Sequence, residues 1–184
     1  MLLTCEFNGM LHGLTGRKMQ TIGASNGLIK VDLKAQKLLS ALILSRPGMP
    51  RDLRLSADGT TFYETDMFNG GVCTVDAATF TETGFIHTGV GAHGLNVGPY
   101  SKFLYFANRG SKFMPDRPRG NGSVSVVKFA SNKVVATETI TGGGSPDMGN
   151  VTPDGKELWL AGRFDGQVYA FDATSGAVTK INVG

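Results

Sequence analysis

The sequence predicts an all-β fold: a β-propeller of four-stranded antiparallel blades, with about four blades present as part of a larger ring. The first observation is a repeat of two glycines eleven positions apart. These pairs are Gly16/Gly27, Gly59/Gly70 and Gly155/Gly166, with Ser101 at the remaining phase and its partner Gly122 displaced by an inserted loop. The steps between the first members are 43, 42 and 54 residues. A period of 40–50 residues made of β-type segments is typical of propeller blades. The second observation is that no window of a dozen residues has the apolar spacing of a helix.

The second repeat shows the strands of one blade in order. It begins at Pro50, and a turn signal at residues 56–59 separates its first two strands. The four predicted strands are residues 53–55, 61–65, 72–76 and 80–86. Four short strands in a meander make one propeller blade.

The other repeats follow the same order. Strands are predicted at residues 95–97, 103–107, 124–127 and 134–140 in the third repeat, and at 149–151, 158–160, 167–172 and 178–183 in the fourth. In the first repeat, residues 28–32 and 38–44 match the third and fourth strands, and residues 16–18 match the turn before the second. Residues 1–15 fit an innermost strand poorly. The predicted blades are residues 1–48, 49–91, 92–144 and 145–184.

Composition excludes several classes of protein. The net charge of +3 is small and dispersed, with one local cluster at Lys112, Arg117 and Arg119, so we expect no nucleic-acid partner. Cys5 and Cys73 are too few for a cysteine-rich zinc site, and whether they are oxidised stays open. No apolar run approaches the length of a membrane span. The residues before Cys5 are too few for the core of a secretion signal, so the chain itself predicts no export.

Three segments together carry a family resemblance. Residues 50–76 contain a Ser-Ala-Asp-Gly turn, Tyr63 and a Gly-Val-x-x-Val-Asp strand, and residues 146–172 match them with Leu158-Trp159-Leu160. Phe103–Asn108 is a third copy. This pattern, over about residues 16–184, resembles the YVTN-type β-propeller repeat. The resemblance implies a propeller, often of seven blades, usually in bacterial or archaeal proteins and often exported, but no single activity.

The resemblance also has a consequence for ring closure. A ring usually closes by sharing strands between its first and last blades, and four blades of this width would rarely close alone. We therefore expect either missing blades or self-association with another copy to complete the ring.

Candidate site residues come from the loops that converge on the channel of a propeller. Four precede their inner strands and two lie between second and third strands: Arg51, Asp52, His93 and Asp147, then Arg109 and Arg163. Convergent polar groups at a channel predict a ligand-binding face. The alternative is that they are solvated residues that cap turns.

His93 and Asp147 are also the weak metal candidates. With Asp52 they would suit an ion that polarises a carbonyl or activates water. Such a site needs three or four ligands, so we favour a structural histidine bonded to the backbone of a neighbouring blade, and we predict no metal and no cofactor. The inserted loop, residues 109–121, could contact an acidic partner, cover the channel or be a solvated excursion.

No nucleophile–base pair can be named from the sequence. We therefore predict a non-catalytic β-propeller repeat protein that acts as a scaffold for a protein partner or a small molecule at its channel face. The alternative is an enzyme: a metal-assisted hydrolase of lactone or ester type, or a propeller subunit of an oxidoreductase. A structural role in a cell-surface layer is a third hypothesis.

Overall fold

A computed structural model describes residues 2–7, 25–98, 102–110 and 121–184. These ranges contain fifteen β-strands, a single 3-10 turn at Phe129–Ser131 and no α-helix. The strands are β1 Leu2–Phe7, β2 Ser25–Asp32, β3 Lys37–Ile43, β4 Pro50–Leu55, β5 Thr61–Asp66, β6 Gly71–Asp76, β7 Thr81–His87, β8 Ala92–Val97, β9 Phe103–Asn108, β10 Ser123–Lys128, β11 Lys133–Thr139, β12 Pro146–Val151, β13 Glu157–Gly162, β14 Gln167–Asp172 and β15 Val178–Asn182.

The strands form four antiparallel sheets in chain order. The first contains β1 to β3, the second β4 to β7, the third β8 to β11 and the fourth β12 to β15. Each is a meander in which consecutive strands pair. The predicted all-β propeller-like fold is confirmed, although the first sheet has three strands among the described residues rather than four. The blade boundaries stay a prediction.

The first sheet differs from the predicted phase of its repeat. Leu2 to Phe7 pair with β2, so that Cys5 lies opposite Gly27. The strand that pairs with β2 therefore lies before Gly16 in the sequence, whereas the repeat predicted it after Gly16. The predicted turn at residues 16–18 lies outside the described residues, as does the turn around Ser101.

Apolar side chains fill each space between neighbouring sheets. Tyr63 of the second sheet packs edge-on against Phe129 of the third, with ring centroids 5.5 Å apart, and its hydroxyl donates to Asn132 Oδ1 at 2.6 Å. Tyr105, at the same phase, packs edge-on against Phe171 of the fourth sheet at 6.0 Å. Burying a side chain of this size stabilises the fold by about 1.5–3 kcal/mol. These contacts hold successive sheets face to face.

The turn after the third strand is built alike in three sheets. The carboxylates of Asp32, Asp76 and Asp172 each accept two backbone N–H groups of the turn. Such a turn is the preferred local structure of an aspartate at the end of a strand. The aspartate at the end of the third strand therefore specifies the turn that follows it.

The innermost strands of the second, third and fourth sheets share an irregularity. The pairing register shifts between Pro50 and Leu53 in β4, between Ala92 and Gly94 in β8, and between Pro146 and Gly149 in β12. A bulge bends a strand and redirects the side chain that it contains. The three bulges lie at the start of the inner strands, where the site is built. In the described ranges, no helix has the length and apolarity needed to cross a bilayer.

Candidate functional site

Three predicted site residues occupy equivalent bulged positions. Arg51, His93 and Asp147 are each the second residue of β4, β8 and β12, inside the register shift. An unbroken ladder would alternate these side chains between the two faces of the sheet, where the neighbouring sheets pack. The bulge frees them from that alternation. Three neighbouring sheets thus each contribute one polar side chain from the same phase.

A second set of residues stands directly after the second strand of each sheet. Met67, Arg109 and Arg163 follow β5, β9 and β13, and their N–H groups bond to Met49, Gly91 and Ser145 carbonyls just before the inner strands. These bonds hold both sets at the same edge of the sheets. The sequence analysis did not select Met67. Its position in the repeat is the same as that of Arg109 and Arg163, and this shared position is the signal that could have identified it.

Asp147 is the centre of the site. Arg109 donates to its Oδ1 from Nε at 3.0 Å and from Nη2 at 2.6 Å, and Arg163 Nη1 lies 3.4 Å from Oδ2. His93 Nδ1 lies 2.8 Å from Oδ1. Arg109 also reaches back to the second sheet, where its Nη1 is 3.7 Å from Met67 Sδ. We call Arg51, His93, Arg109, Asp147 and Arg163 the channel cluster.

The electrostatics of the channel cluster are dominated by its arginines. Burial and the positive charge of Arg109 lower the pKa of His93 to about 4, with smaller contributions in the same direction from Arg51 and Arg163, while Asp147 opposes the shift. His93 is therefore neutral at pH 7. Although His93 Nδ1 lies 2.8 Å from Asp147 Oδ1, the two atoms are not aligned for a hydrogen bond, and Nδ1 is a buried nitrogen without a hydrogen-bond partner among the residues that the structure describes. Three guanidinium groups and one carboxylate leave the cluster with an excess of positive charge.

Asp52 is separated from this cluster by its own hydrogen bonds. Its Oδ2 accepts the Leu95 N–H of the next sheet at 3.0 Å, and its Oδ1 accepts the Leu53 N–H at 2.8 Å and contacts the Arg54 guanidinium. The residue is buried. The structure therefore commits Asp52 to joining the second and third sheets, and it does not bring Asp52 to Asp147.

The contact of the His93 side chain differs from the predicted hydrogen bond to a neighbouring backbone. Its imidazole contacts the carboxylate of Asp147 in the neighbouring sheet instead of a neighbouring backbone group. Its backbone carbonyl accepts a hydrogen bond from Thr65 Oγ1 at 2.9 Å. In the described part of the chain, no group of three histidine, cysteine, aspartate or glutamate side chains could hold a metal ion. The guanidinium groups of Arg109 and Arg163 contact Asp147 beside His93, and their positive charge repels a cation.

A cavity of about 410 Å³ adjoins the channel cluster. Arg109 belongs to both. The other lining residues come from the segment before β10, the loop before β12, the loop after β13 and the two outer strands of the fourth sheet: Asn121, Gly142, Gly143, Gly144, Phe164, Asp165, Gln167, Tyr169 and Lys180. No sequence signal pointed to this cavity, because its lining is spread between residues 109 and 180.

Hydrogen bonds fix the floor of the cavity. Asp165 Oδ2 accepts the Ser145 N–H at 2.7 Å and the Tyr169 hydroxyl at 2.5 Å. Burial, together with Asp165, raises the pKa of Tyr169 to about 12, so its hydroxyl stays protonated. Lys180 Nζ donates to the Gly143 carbonyl at 2.8 Å.

Two other features singled out in the sequence are the inserted loop and Cys73. The inserted-loop residues 111–120, with Lys112, Arg117 and Arg119, lie outside the described residues. Cys73 is a free, buried thiol whose pKa is raised by burial. It packs between the first and second sheets and does not reach the channel cluster.

Comparison with known proteins supports the fold. No protein-family model matches the chain, and no curated protein does. Among solved structures, hydrazine synthase from Kuenenia stuttgartiensis is similar with a TM-score of 0.70 and 20% identity, over 86% of this chain and 46% of that one.

Two further structures are similar over the same portion. A candidate 6-phosphogluconolactonase from Bacteroides fragilis has a TM-score of 0.63 and 20% identity, over 85% of this chain and 47% of that one. Another from Bacteroides uniformis has a TM-score of 0.63 and 19% identity, over 86% and 49%. The chain spans about half the length of these structures. At such identities the likeness shows the propeller-like fold alone.

Proposed function

We propose that this chain is a ligand-binding β-propeller module whose channel cluster takes an anionic group, a carboxylate or a phosphate. The observation that supports it is that Arg109 and Arg163 both contact one aspartate beside a neutral histidine, whose pKa is also lowered by the positive charge of Arg51. Guanidinium groups match the geometry of both oxyanions, and Arg163 is half-exposed and available to a ligand.

The neutral state of His93 supports binding over catalysis at neutral pH. A general base works best when its pKa lies near the pH of the reaction. The pKa of His93, about 4, makes it a weak proton acceptor at pH 7. In the unliganded protein the imidazole therefore serves as a hydrogen-bonding group of the site.

Calorimetric titration of the protein with inorganic phosphate and with gluconate tests the proposal. We expect binding of either probe to weaken as salt increases, since both partners are charged. Arg163→Gln should reduce the affinity roughly tenfold, which is the effect of losing about 1.4 kcal/mol of binding free energy. Lys156→Gln is the matched control, because Lys156 is exposed and remote from the channel cluster yet changes the net charge equally. Absence of binding, or equal losses in both variants, would contradict the proposal.

A second candidate function is hydrolysis of a lactone or ester. Asp147 Oδ1 lies 2.8 Å from His93 Nδ1 without a hydrogen bond between them, and a rotation of the imidazole would give it the support that a carboxylate gives to a catalytic histidine. Arg109 or Arg163 could stabilise an oxyanion. A substrate with its own acid group would raise the pKa of His93 when bound, which would bring the imidazole nearer to a working base. Two of the similar structures are described as candidate lactonases.

Hydrolysis of glucaro-1,4-lactone, a lactone that carries a carboxylate, separates this second function from binding alone. The second function requires catalysed hydrolysis that is lost in His93→Gln while gluconate binding is retained. Equal rates in the presence and absence of protein would exclude it for this substrate. The oxidoreductase-subunit hypothesis is supported by the likeness of the fold to hydrazine synthase, as the lactonase hypothesis is by the other two structures.

A further inference from the structure

The cavity beside the channel cluster extends from the inside of the fourth sheet to its outside. Arg109 marks the inner end, because it is bound to Asp147 on the innermost strand β12. Lys180 lies on the outermost strand β15. The sheet order places three strand spacings, roughly 14 Å, between these two strands. The cavity lining therefore includes one cation bound at the innermost strand, Arg109, and one from the outermost strand, Lys180.

The outer cation is directed inward. Lys180 Nζ donates to the carbonyl of Gly143, which lies in the loop that enters the innermost strand. This contact uses one of three ammonium N–H groups and leaves donors for a ligand.

Polar groups line the middle of the cavity. Gln167 supplies an amide, and Asp165 supplies a carboxylate that is anchored by Ser145 and Tyr169. A carboxylate in this position disfavours an acidic centre in the ligand and favours groups that donate hydrogen bonds. Phe164, partly exposed, lies at the rim.

We propose that this cavity is a subsite for the far end of the ligand, an elongated polar molecule with an acidic group at each end and hydroxyl or amide groups between them. The inference rests on the proposed function, since Arg109 is shared with the channel cluster. One acid binds the channel cluster beside Arg109, where Arg163 is half-exposed, the other binds Lys180, and the central groups donate to Asp165 and bond Gln167. The 410 Å³ volume holds a small molecule of this kind rather than a folded partner.

Calorimetric titration with three probes of equal chain length tests this inference: glucarate with two acids and hydroxyls, gluconate with one acid and hydroxyls, and adipate with two acids and no hydroxyls. We expect glucarate to bind roughly threefold to tenfold more tightly than gluconate, the range for one partly exposed charged contact. Adipate should bind more weakly than glucarate. Adipate that binds as tightly as glucarate would overturn the polar centre.

Variants of Lys180 assign the difference to the cavity. The ratio of glucarate to gluconate affinity should fall to about one in Lys180→Gln, and it should be retained in Lys180→Arg, which keeps the cation, and in the control Lys156→Gln. A ratio of one in the original chain, or a ratio unchanged in Lys180→Gln, overturns the inference. These outcomes differ from failure of the proposed function, in which neither gluconate nor phosphate binds at all.

Discussion

Arg109 and Asp147 join the third and fourth sheets through two donors on one oxygen, with Nε at 3.0 Å and Nη2 at 2.6 Å from Oδ1. Their side chains are 12% and 13% exposed, whereas that of Arg163, the other guanidinium on Asp147, is 47% exposed. The two arginines therefore have different roles. Arg109 is part of the join between sheets, and Arg163 is the accessible part of the channel cluster.

This difference predicts unequal effects on stability. Arg109→Gln leaves a buried carboxylate without its main partner, so we expect the unfolding free energy to fall by about 2–4 kcal/mol. Arg163→Gln removes an exposed contact and should cost about 0–1 kcal/mol. Urea unfolding at pH 7 measures both. Adding Asp147→Asn to Arg109→Gln should recover part of the loss, and similar costs for the two single variants would show that the join is elsewhere.

The depressed pKa of His93 predicts a pH dependence of stability. In the unfolded chain the imidazole takes up a proton near pH 6.5, but in the folded protein it does so only near pH 4. Between these values the unfolded state binds more protons, so the unfolding free energy falls as the pH falls from 6.5 to 4. The loss from this group is on the order of 3 kcal/mol.

His93→Gln isolates this contribution from other titrating groups. The difference in unfolding free energy between the original chain and His93→Gln should be constant above pH 7 and should shift in favour of the variant by pH 4. Urea titrations at pH 7.5, 5.5 and 4 supply the three values. A difference that does not change with pH would mean that His93 titrates at its ordinary pKa.

Anion binding should move the same proton. A bound anion adds negative charge beside His93 and raises its pKa, so binding at pH 5 should be accompanied by proton uptake. Sulfate is the probe, because its charge does not change in this range. Calorimetry in buffers of different ionisation enthalpy counts the protons. We expect uptake at pH 5, none at pH 8, and none at either pH in His93→Gln, and uptake that survives the substitution would assign the proton to another group.

The buried carboxylate of Asp52 should be more important for stability than a turn aspartate. Asp52→Ala leaves the Leu95 N–H of the next sheet without its acceptor, and we expect a loss of about 2–4 kcal/mol. Asp32→Ala also removes two backbone hydrogen bonds, to Lys34 and Ala35, but in an exposed turn. We expect that control to cost about 0.5–1 kcal/mol. Thermal unfolding of both variants compares them, and equal shifts in the midpoint would contradict the bridging role.

The sequence predicted most strands because their signals are local. The alternation in segments such as 61–65 and the turn motifs are formed by residues that are neighbours in the chain, and the 43-residue period repeats them in order. Both can therefore be recognised from the sequence alone. The first sheet was less predictable. The partner of β2 is separated from it by residues 8–24, and such pairing depends on contacts across that interval.

The site was predictable in membership but not in arrangement. Arg51, His93 and Asp147 could be selected because they occupy the same position in successive repeats. Met67, Arg109 and Arg163 share a second such position, so Met67 could have been selected in the same way. The role of Asp52 was not visible, since it depends on a hydrogen bond to Leu95 43 residues away. The cavity depends on where Lys180 and Gly143 meet, which no spacing rule describes.

The bulges at the start of β4, β8 and β12 place one side chain of each inner strand outside the regular pairing of the sheet. The residue inside each bulge is outside the regular ladder, and its type already differs in the three sheets: arginine, histidine and aspartate. Asp147 is also bound to Arg109 of the neighbouring sheet, so a change there would disturb the contact between sheets. A library that varies only residues 51 and 93 would explore new ligand preferences on the same scaffold while leaving both the sheet pairing and that contact intact.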